Sequence, residues 1–142
     1  MERRSFIKGA CRICLLGTSA AAVAAMASCS PAVSKNILRP EINNNTVLIP
    51  LSAFDNNTFQ VISPAKYQFE IAVEKKGAND FRALLLKCTH YSNELTVTGN
   101  GFTCAAHGSR FDKEGNVLQG PAEHSLHQLK TQIVNNNLLI NL

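Results

Sequence analysis

Two short segments in the second half of the chain each combine one cysteine with one histidine. Cys88 precedes His90 by two positions, and Cys104 precedes His107 by three. Two thiolates and two imidazoles form a ligand set that suits zinc or iron. Within each segment the two side chains are too close in sequence to point far apart. Two such segments facing each other favour a dinuclear iron site, with one iron on the cysteines and the other on the histidines.

The residues around the second segment make this pattern far more specific. Residues 104–112 read CAAHGSRFD, residue 115 is glycine, and Gly120-Pro121 follows. Together with the Cys-x-His segment, this combination resembles the paired boxes of the Rieske family. Members of that family hold a [2Fe–2S] cluster in which histidine replaces cysteine on one iron. The resemblance covers roughly the last two thirds of the chain.

The resemblance implies a role for each matching residue. Its cluster ligands are Cys88, His90, Cys104 and His107. The Ser109 hydroxyl is expected to donate a hydrogen bond to a bridging sulfide and so raise the reduction potential. Gly108 is expected to let the backbone approach the cluster closely. A loop at Gly120-Pro121 is expected to cover the cluster and shield it from water.

The ligand set also has electrostatic consequences. With two thiolates, two sulfides and two ferric ions, the oxidised site is formally neutral, whereas four thiolates would leave it doubly negative. A less negative site accepts an electron more readily, so the half-histidine set favours a higher potential. The outer nitrogens of His90 and His107 can bind protons, which would couple proton uptake to reduction.

Three positions depart from the pattern of the quinol-oxidising relatives. Asn93 and Ala106 stand where those relatives carry cysteines that bridge the two loops, and Phe111 stands where they carry a tyrosine. These departures predict an intermediate reduction potential, and they argue against assigning the quinol oxidation of those relatives to this chain. Phe111 is expected to be a core residue, and Asp112 to serve the turn before Gly115.

Other interpretations of the same residues remain open. A structural zinc site with two Cys and two His ligands is compatible with the residue types. A disulfide between Cys88 and Cys104 is the simple alternative in an exported protein, but it leaves both histidines unexplained. His124 and His127 are not predicted to be ligands, because side chains three apart on a strand face opposite sides of the sheet.

Residues 1–28 have the features of an export signal. Residues 3–8 read RRSFIK, which resembles a twin-arginine signal, and the uncharged run from Ile13 to Met26 is shorter than the about 20 residues of a bilayer span. Residues 26–29 read MASC, which resembles a lipoprotein cleavage box with Cys29 as the acylated residue. An uncleaved anchor is the rival interpretation, because no charge interrupts residues 13–34.

Most of the net positive charge of the chain lies in residues 1–28. The net charge is +4, yet residues 1–28 hold four basic side chains and one acidic, and the remainder holds 10 basic and 9 acidic. A nearly neutral body gives no support to nucleic-acid binding.

From residue 46 the pattern is that of short β-strands. Val47 to Leu51 is an apolar run, and Tyr67, Phe69, Ile71 and Val73 alternate with polar residues. A strand is predicted from Phe81 to Lys87, in which the apolar residues 84–86 are expected to be buried, and this strand leads to Cys88. A closing hairpin is predicted around Asn135–Asn137. The sequence therefore predicts a signal or anchor at 1–28, a tether at 29–45, and an all-β antiparallel sandwich or barrel at 46–142. The resemblance places the cluster-binding loops at one tip of such a body.

These observations predict an electron-transfer protein carrying one [2Fe–2S] cluster rather than a catalyst acting alone. The expected partners are redox proteins, such as a cytochrome or an oxidoreductase subunit. The expected location is the periplasmic side of a bacterial membrane, reached by the twin-arginine route and held by the Cys29 lipid or the N-terminal segment. The iron–sulfur subunit of a bc-type quinol–cytochrome c reductase is the alternative.

Overall fold

Residues 37–142 are described by the structure, a computed structural model, so the predicted signal and Cys29 lie outside it. These residues form 13 β-strands and one 3-10 turn at Leu51–Phe54, which confirms the predicted all-β class. No helix in this range has the length and apolar character needed to cross a bilayer. The strands are β1 Ile37–Leu38, β2 Ile42–Asn43, β3 Thr46–Pro50, β4 Phe59–Ile62, β5 Ile71–Lys75, β6 Phe81–Leu85, β7 Thr96–Thr98, β8 Gly101–Thr103, β9 Arg110–Phe111, β10 Val117–Gln119, β11 Gln128–Leu129, β12 Thr131–Val134 and β13 Asn137–Asn141.

The described strands are arranged in three sheets. The central sheet has the order β1-β4-β5-β6-β11, a second sheet has the order β12-β13-β3-β2, and a third has the order β10-β9-β8-β7. Neighbouring strands are antiparallel except for β1 and β4, which run parallel. The third sheet carries the second Cys/His segment between β8 and β9.

Strand β6 explains why the sequence has a continuous apolar run before Cys88. Ala83 and Leu85 point into a core shared with β3 and β13 of the second sheet. Leu84 and Leu86 point into a separate core shared with the third sheet. Successive strand residues face opposite sides of a sheet, so a strand covered on both faces is apolar at every position. The central sheet therefore lies between the other two, and the run at 84–86 is buried as predicted.

Paired asparagines close two tight hairpins in the second sheet. Asn44 and Asn45 join β2 to β3, and Asn135 and Asn136 join β12 to β13. All four have positive φ, at 47° and 61° in each pair, as a two-residue type I′ turn requires. Asparagine tolerates this conformation better than most residues. The predicted closing hairpin is thus confirmed.

Two local predictions differ from the structure. Tyr67 and Phe69 alternate like strand residues, but β5 begins only at Ile71, because a turn at Pro64 and Lys66 interrupts the chain, where Tyr67 N–H donates to the Pro64 carbonyl. Both aromatic side chains still pack against the first core. Within the predicted tether, residues 37–38 and 42–43 form β1 and β2. Two-residue strands are too short to show an alternation of apolar and polar residues in the sequence.

Candidate metal centre

The first Cys/His loop follows the buried end of β6. The Cys88 N–H donates to the Asn93 carbonyl at 2.8 Å, and the Ser92 N–H donates to the Cys88 carbonyl at 2.9 Å. A backbone bridge between Lys87 and Glu94 holds the base of the loop. The loop can close this tightly because Ser92 takes a left-handed conformation, with φ of 55°. The six residues from 88 to 93 therefore form a compact turn that carries Cys88 and His90.

The second loop repeats this geometry between β8 and β9. The Cys104 N–H donates to the Ser109 carbonyl at 2.8 Å, and the Gly108 N–H donates to the Cys104 carbonyl at 3.0 Å. Gly108 has φ of 80°, and a Cβ there would meet no atom within 4 Å. The left-handed backbone, rather than close packing against protein atoms, is thus what favours glycine at this position.

The two loops have equivalent backbone hydrogen bonds, and they differ by one position in where the predicted histidine ligand lies. In each six-residue loop the cysteine comes first, its N–H bonds the sixth residue, and the left-handed residue is the fifth. The histidine is third in the first loop, as His90, and fourth in the second, as His107. This equivalence was not evident from the sequence, because Ser92 and Gly108 are different residue types.

The structure brings the two predicted histidines together. Their ring centroids are 5.0 Å apart and nearly perpendicular, at 88°. His90 is half-buried, whereas His107 is exposed. The contact joins loops that are separated by the β7–β8 hairpin in the sequence, so the two loops face each other in the fold.

The two thiols lie in the protein interior below the histidines. Cys88 is 2% exposed and Cys104 is fully buried, and both belong to the core between the central and third sheets. Within residues 37–142 both are free thiols rather than a disulfide. Buried cysteines held at the first position of two facing loops are suited to metal ligation, which requires them as thiolates.

One buried polar atom gives a direct test of whether a metal group fits. Nδ1 of His90 is buried and has no hydrogen-bond partner among the described residues. A buried polar atom without a partner costs free energy, so native proteins rarely leave one unpaired. A metal ion bound to this nitrogen supplies the missing partner. The residues present therefore fit a metal group between the loops.

The described residues contain no group of three or more His, Cys, Asp or Glu side chains around one ion. A dinuclear cluster takes two protein ligands on each iron, so it does not require such a group.

A third segment, residues 122–124, is connected to both loops by hydrogen bonds. The Ala122 N–H donates to the Ser109 hydroxyl oxygen at 3.0 Å, and Ser109 is fully buried. The Thr89 hydroxyl donates to the His124 carbonyl at 2.6 Å. The Gly120-Pro121 peptide bond, which is cis, immediately precedes this segment. Because Ser109 accepts from Ala122, its own hydroxyl hydrogen is available to a further acceptor.

Phe111 supports the second loop from below. It is 1% exposed and belongs to the same core as the two cysteines, which confirms the prediction of a core residue. Its carbonyl oxygen lies against Gly101, where any Cβ would collide with it. Gly101 thus permits the close approach of β8 and β9 that sets the ends of the loop.

Asp112 organises the turn that follows β9, as the sequence predicted. Its carboxylate accepts from the Asn116 N–H at 2.7 Å and from the Asn116 side-chain amide at 2.9 Å, and its carbonyl accepts from the Gly115 N–H at 3.1 Å. Burial by itself raises the pKa of Asp112, but the hydrogen bonds from Asn116 and from backbone N–H groups outweigh it and hold the pKa below its ordinary value.

Tyr91 is part of the site and was not identified from the sequence. Its ring lies 4.8 Å from the His90 ring and 6.0 Å from the His107 ring, and 71% of the residue is exposed. The available signal was its position directly after His90, but a tyrosine at a loop tip has no ligand role that would single it out. The contact with His107 depends on the meeting of the two loops.

His124 and His127 lie outside the paired loops. Both are exposed, and both belong to the irregular segment before β11 rather than to a strand. The prediction that these two histidines lie three apart on one strand is therefore wrong.

A β domain that presents two Cys/His loops at a common point belongs to the class of small metal-cluster proteins. Comparison with known families identifies which one: the Rieske [2Fe-2S] domain family matches residues 46–131, and the chain belongs to it. The cofactor of this domain is a [2Fe–2S] cluster.

Curated relatives include iron–sulfur subunits of cytochrome b6-f complexes. Subunit 1 from Synechocystis is 31% identical over 72 residues, which cover 49% of this chain and 40% of the relative. The subunit from Synechococcus elongatus is 36% identical over 55 residues, covering 37% of this chain and 31% of the relative. The chain thus matches less than half the length of these relatives.

The fold is also similar to that of a solved structure. The cyanobacterial plasma membrane Rieske protein PetC3 from Synechocystis superposes with a TM-score of 0.51 at 24% identity, covering 66% of this chain and 95% of that one. The similarity supports the β architecture of the described residues.

Proposed function

We propose that this chain is an electron-transfer protein whose [2Fe–2S] cluster is held by Cys88 and Cys104 on one iron and by His90 and His107 on the other. The observation that carries the proposal is the meeting of two loops that each supply one buried thiol and one imidazole, with a buried His90 nitrogen left for a metal. The cluster supplies a one-electron couple when bound.

The surrounding residues define what the protein contributes to that couple. The core around Cys88 and Cys104 excludes water from the thiolate side, whereas His107 is exposed and offers a route for electrons and protons on the other side. Ser109 is placed to donate its hydroxyl hydrogen, which would stabilise the reduced form. Gly120 and Pro121 would cover the site, held by the Ala122 and Thr89 hydrogen bonds.

Electron paramagnetic resonance of the dithionite-reduced protein tests the ligand assignment. We expect the spectrum of a half-histidine cluster in the parent protein and its loss in His107→Ala. His124→Ala is a matched control, because it removes an exposed histidine outside the paired loops and should retain the spectrum. A spectrum that survives in His107→Ala contradicts the assignment, and zinc without iron in natively matured protein would establish the structural zinc site instead.

A second candidate function is that of the iron–sulfur subunit of a bc-type complex, and the similarity to cytochrome b6-f subunits favours it. Asn93 and Ala106 leave the two loops without bridging cysteines, and Phe111 lacks the phenol that would bond a ligand sulfur. Both differences favour a reduction potential lower than that of the quinol-oxidising relatives, and they therefore favour the first candidate function. A high midpoint potential together with rapid reduction by a quinol analogue would move the assignment to the second.

We further propose that residues 1–28 are a twin-arginine signal and that Cys29 carries a lipid. Because β1 and β2 belong to the sheets, we confine the proposed tether to residues 29–36, which would hold the domain at the periplasmic side of a membrane. The Arg pair and the MASC sequence support this. The partners would be a cytochrome or an oxidoreductase subunit. Cys29→Ala should release the protein from the membrane fraction, and retention there would favour an uncleaved anchor.

A further inference from the structure

A cavity lies beside the first Cys/His loop, and Cys88 is the one proposed cluster ligand among its lining residues. Its volume is about 430 Å³, and it opens to solvent. Seven residues line it: Leu85, Lys87, Cys88, Thr89, Ser92, His124 and His127. None of these is acidic, and the polar side chains among them are hydrogen-bond donors or can become donors. The second loop contributes no lining residue, so the cavity is distinct from the place where the two loops meet.

The basic residues around this cavity are anchored to the body of the domain. The Lys87 ammonium lies 5.3 Å from the centre of the Phe69 ring, an attractive cation–π arrangement. The His127 carbonyl accepts from the Leu85 N–H at 2.9 Å, and the His124 carbonyl accepts from the Thr89 hydroxyl at 2.6 Å. The Phe69 contact thus orients the Lys87 side chain, and the two hydrogen bonds fix the backbone of His124 and His127 beside the cavity.

From this arrangement we propose that the cavity is an oxyanion site that takes a phosphate or a carboxylate group. Lys87, His124, His127 and Ser92 all line this one opening, and no acidic residue lines it. Charge-assisted hydrogen bonds from such groups are the usual means by which proteins hold phosphate and carboxylate. Glu94 is paired with Lys87 through the backbone, but it is not among the lining residues.

The proposed anion site lies next to the proposed cluster site, so the two should influence each other. Cys88 forms part of its wall, and Thr89 joins the loop to His124. A bound anion adds negative charge close to a group that becomes more negative on reduction, so the anion binds the oxidised protein more tightly. By reciprocity, saturating anion lowers the midpoint potential. A tenfold difference in affinity between the two redox states corresponds to a shift of about 59 mV for one electron.

Calorimetric titration of the oxidised holoprotein with inorganic phosphate, and separately with succinate, tests the proposal. We expect a single-site isotherm for at least one of the two anions, and their relative affinities assign the site to phosphate or to carboxylate. The double variant His124→Gln, His127→Gln should bind about tenfold or more weakly, the loss expected for charge-assisted hydrogen bonds. Lys87→Gln tests the ammonium separately, and Lys130→Gln, an exposed lysine that does not line the cavity, is the control that should bind like the parent.

The paramagnetic spectrum of each variant is recorded to establish that the cluster is retained. Failure of both anions to bind the parent, or equal binding to the parent and to the double variant, overturns the proposal. Neither result touches the electron-transfer function, because the titration requires no electron transfer.

Discussion

Ser109 shows how one side chain can act on both the stability and the potential of the site. The residue is fully buried, and its hydroxyl accepts the Ala122 N–H from the segment that follows Gly120-Pro121. The same hydroxyl retains a hydrogen that can be donated to the cluster. A single oxygen atom thus connects the second loop to the segment that would cover it.

Replacing that hydroxyl should have two measurable effects. We expect Ser109→Ala to lower the midpoint potential, because a hydrogen bond that stabilises the reduced form is lost. We also expect a loss of roughly 1–3 kcal/mol in the free energy of unfolding, because the Ala122 N–H loses its buried partner. Redox titration and denaturant unfolding measure the two effects. Ser109→Thr keeps the hydroxyl and is the matched comparison, and an unchanged potential in Ser109→Ala would remove the serine from the account of redox tuning.

At the scale of elements, the two loops share one backbone design with different residues at its critical position. Both close through the same pair of backbone hydrogen bonds around a left-handed fifth residue. That residue is glycine in the second loop and serine in the first. A side chain in the left-handed region is costly, by roughly 1–2 kcal/mol per residue, so the first loop carries strain that the second does not.

Exchanging the residue types should reveal this difference. We expect Ser92→Gly to stabilise the holoprotein by up to about 1 kcal/mol, because relief of the left-handed strain exceeds the added chain entropy. Gly108→Ala should destabilise it by about 1–2 kcal/mol for the reciprocal reason. Thermal unfolding of the two variants beside the parent measures both. Destabilisation by Ser92→Gly would show that the serine side chain makes a contribution larger than the strain.

The turn after β9 makes a pH-dependent contribution to stability. The pKa of Asp112 is lowered in the folded protein, because hydrogen bonds from Asn116 and backbone N–H groups outweigh the effect of burial. A carboxylate with a depressed folded-state pKa contributes stability above its unfolded pKa and loses that contribution as the pH falls through the folded value. We expect Asp112→Asn to be less stable than the parent at neutral pH, with the difference narrowing in acid. Unfolding curves across that pH range test this, and a constant difference would assign the effect to shape rather than charge.

At the scale of the whole molecule, the central sheet separates two cores with different tasks. One core packs β5 and β6 against the second sheet and contains Leu138. The other packs the opposite face of the same strands against the third sheet and contains Leu86 together with Cys88 and Cys104. Leu86 is fully buried and Leu138 is 1% exposed. The first core therefore supports the domain, and the second core also supports the thiols.

Truncating one leucine in each core should separate these tasks. We expect Leu86→Ala and Leu138→Ala each to destabilise the protein by about 2–5 kcal/mol, the range for removing a buried leucine side chain. The paramagnetic spectrum and the midpoint potential should change only in Leu86→Ala, because only that cavity lies in the core of Cys88 and Cys104, the proposed ligands. A comparable spectral change in Leu138→Ala would mean that the two cores do not act separately.

The sequence by itself determined what lies within each loop. The spacing of Cys88 to His90 and of Cys104 to His107, with the Gly-Ser that follows, indicated the family and its cofactor, and the apolar run at 84–86 indicated a buried strand segment. Such signals are local, because residues a few positions apart are confined to one turn or one strand. Only the tertiary structure decided which distant segments meet. The contact between the histidine rings, the exposure of Tyr91 beside them, the bonds from Thr89 and Ser109 to the third segment, and the donor-lined cavity all depend on how three sheets pack. Packing depends on the burial of many side chains together, so it cannot be deduced from the spacing of any one pair of residues.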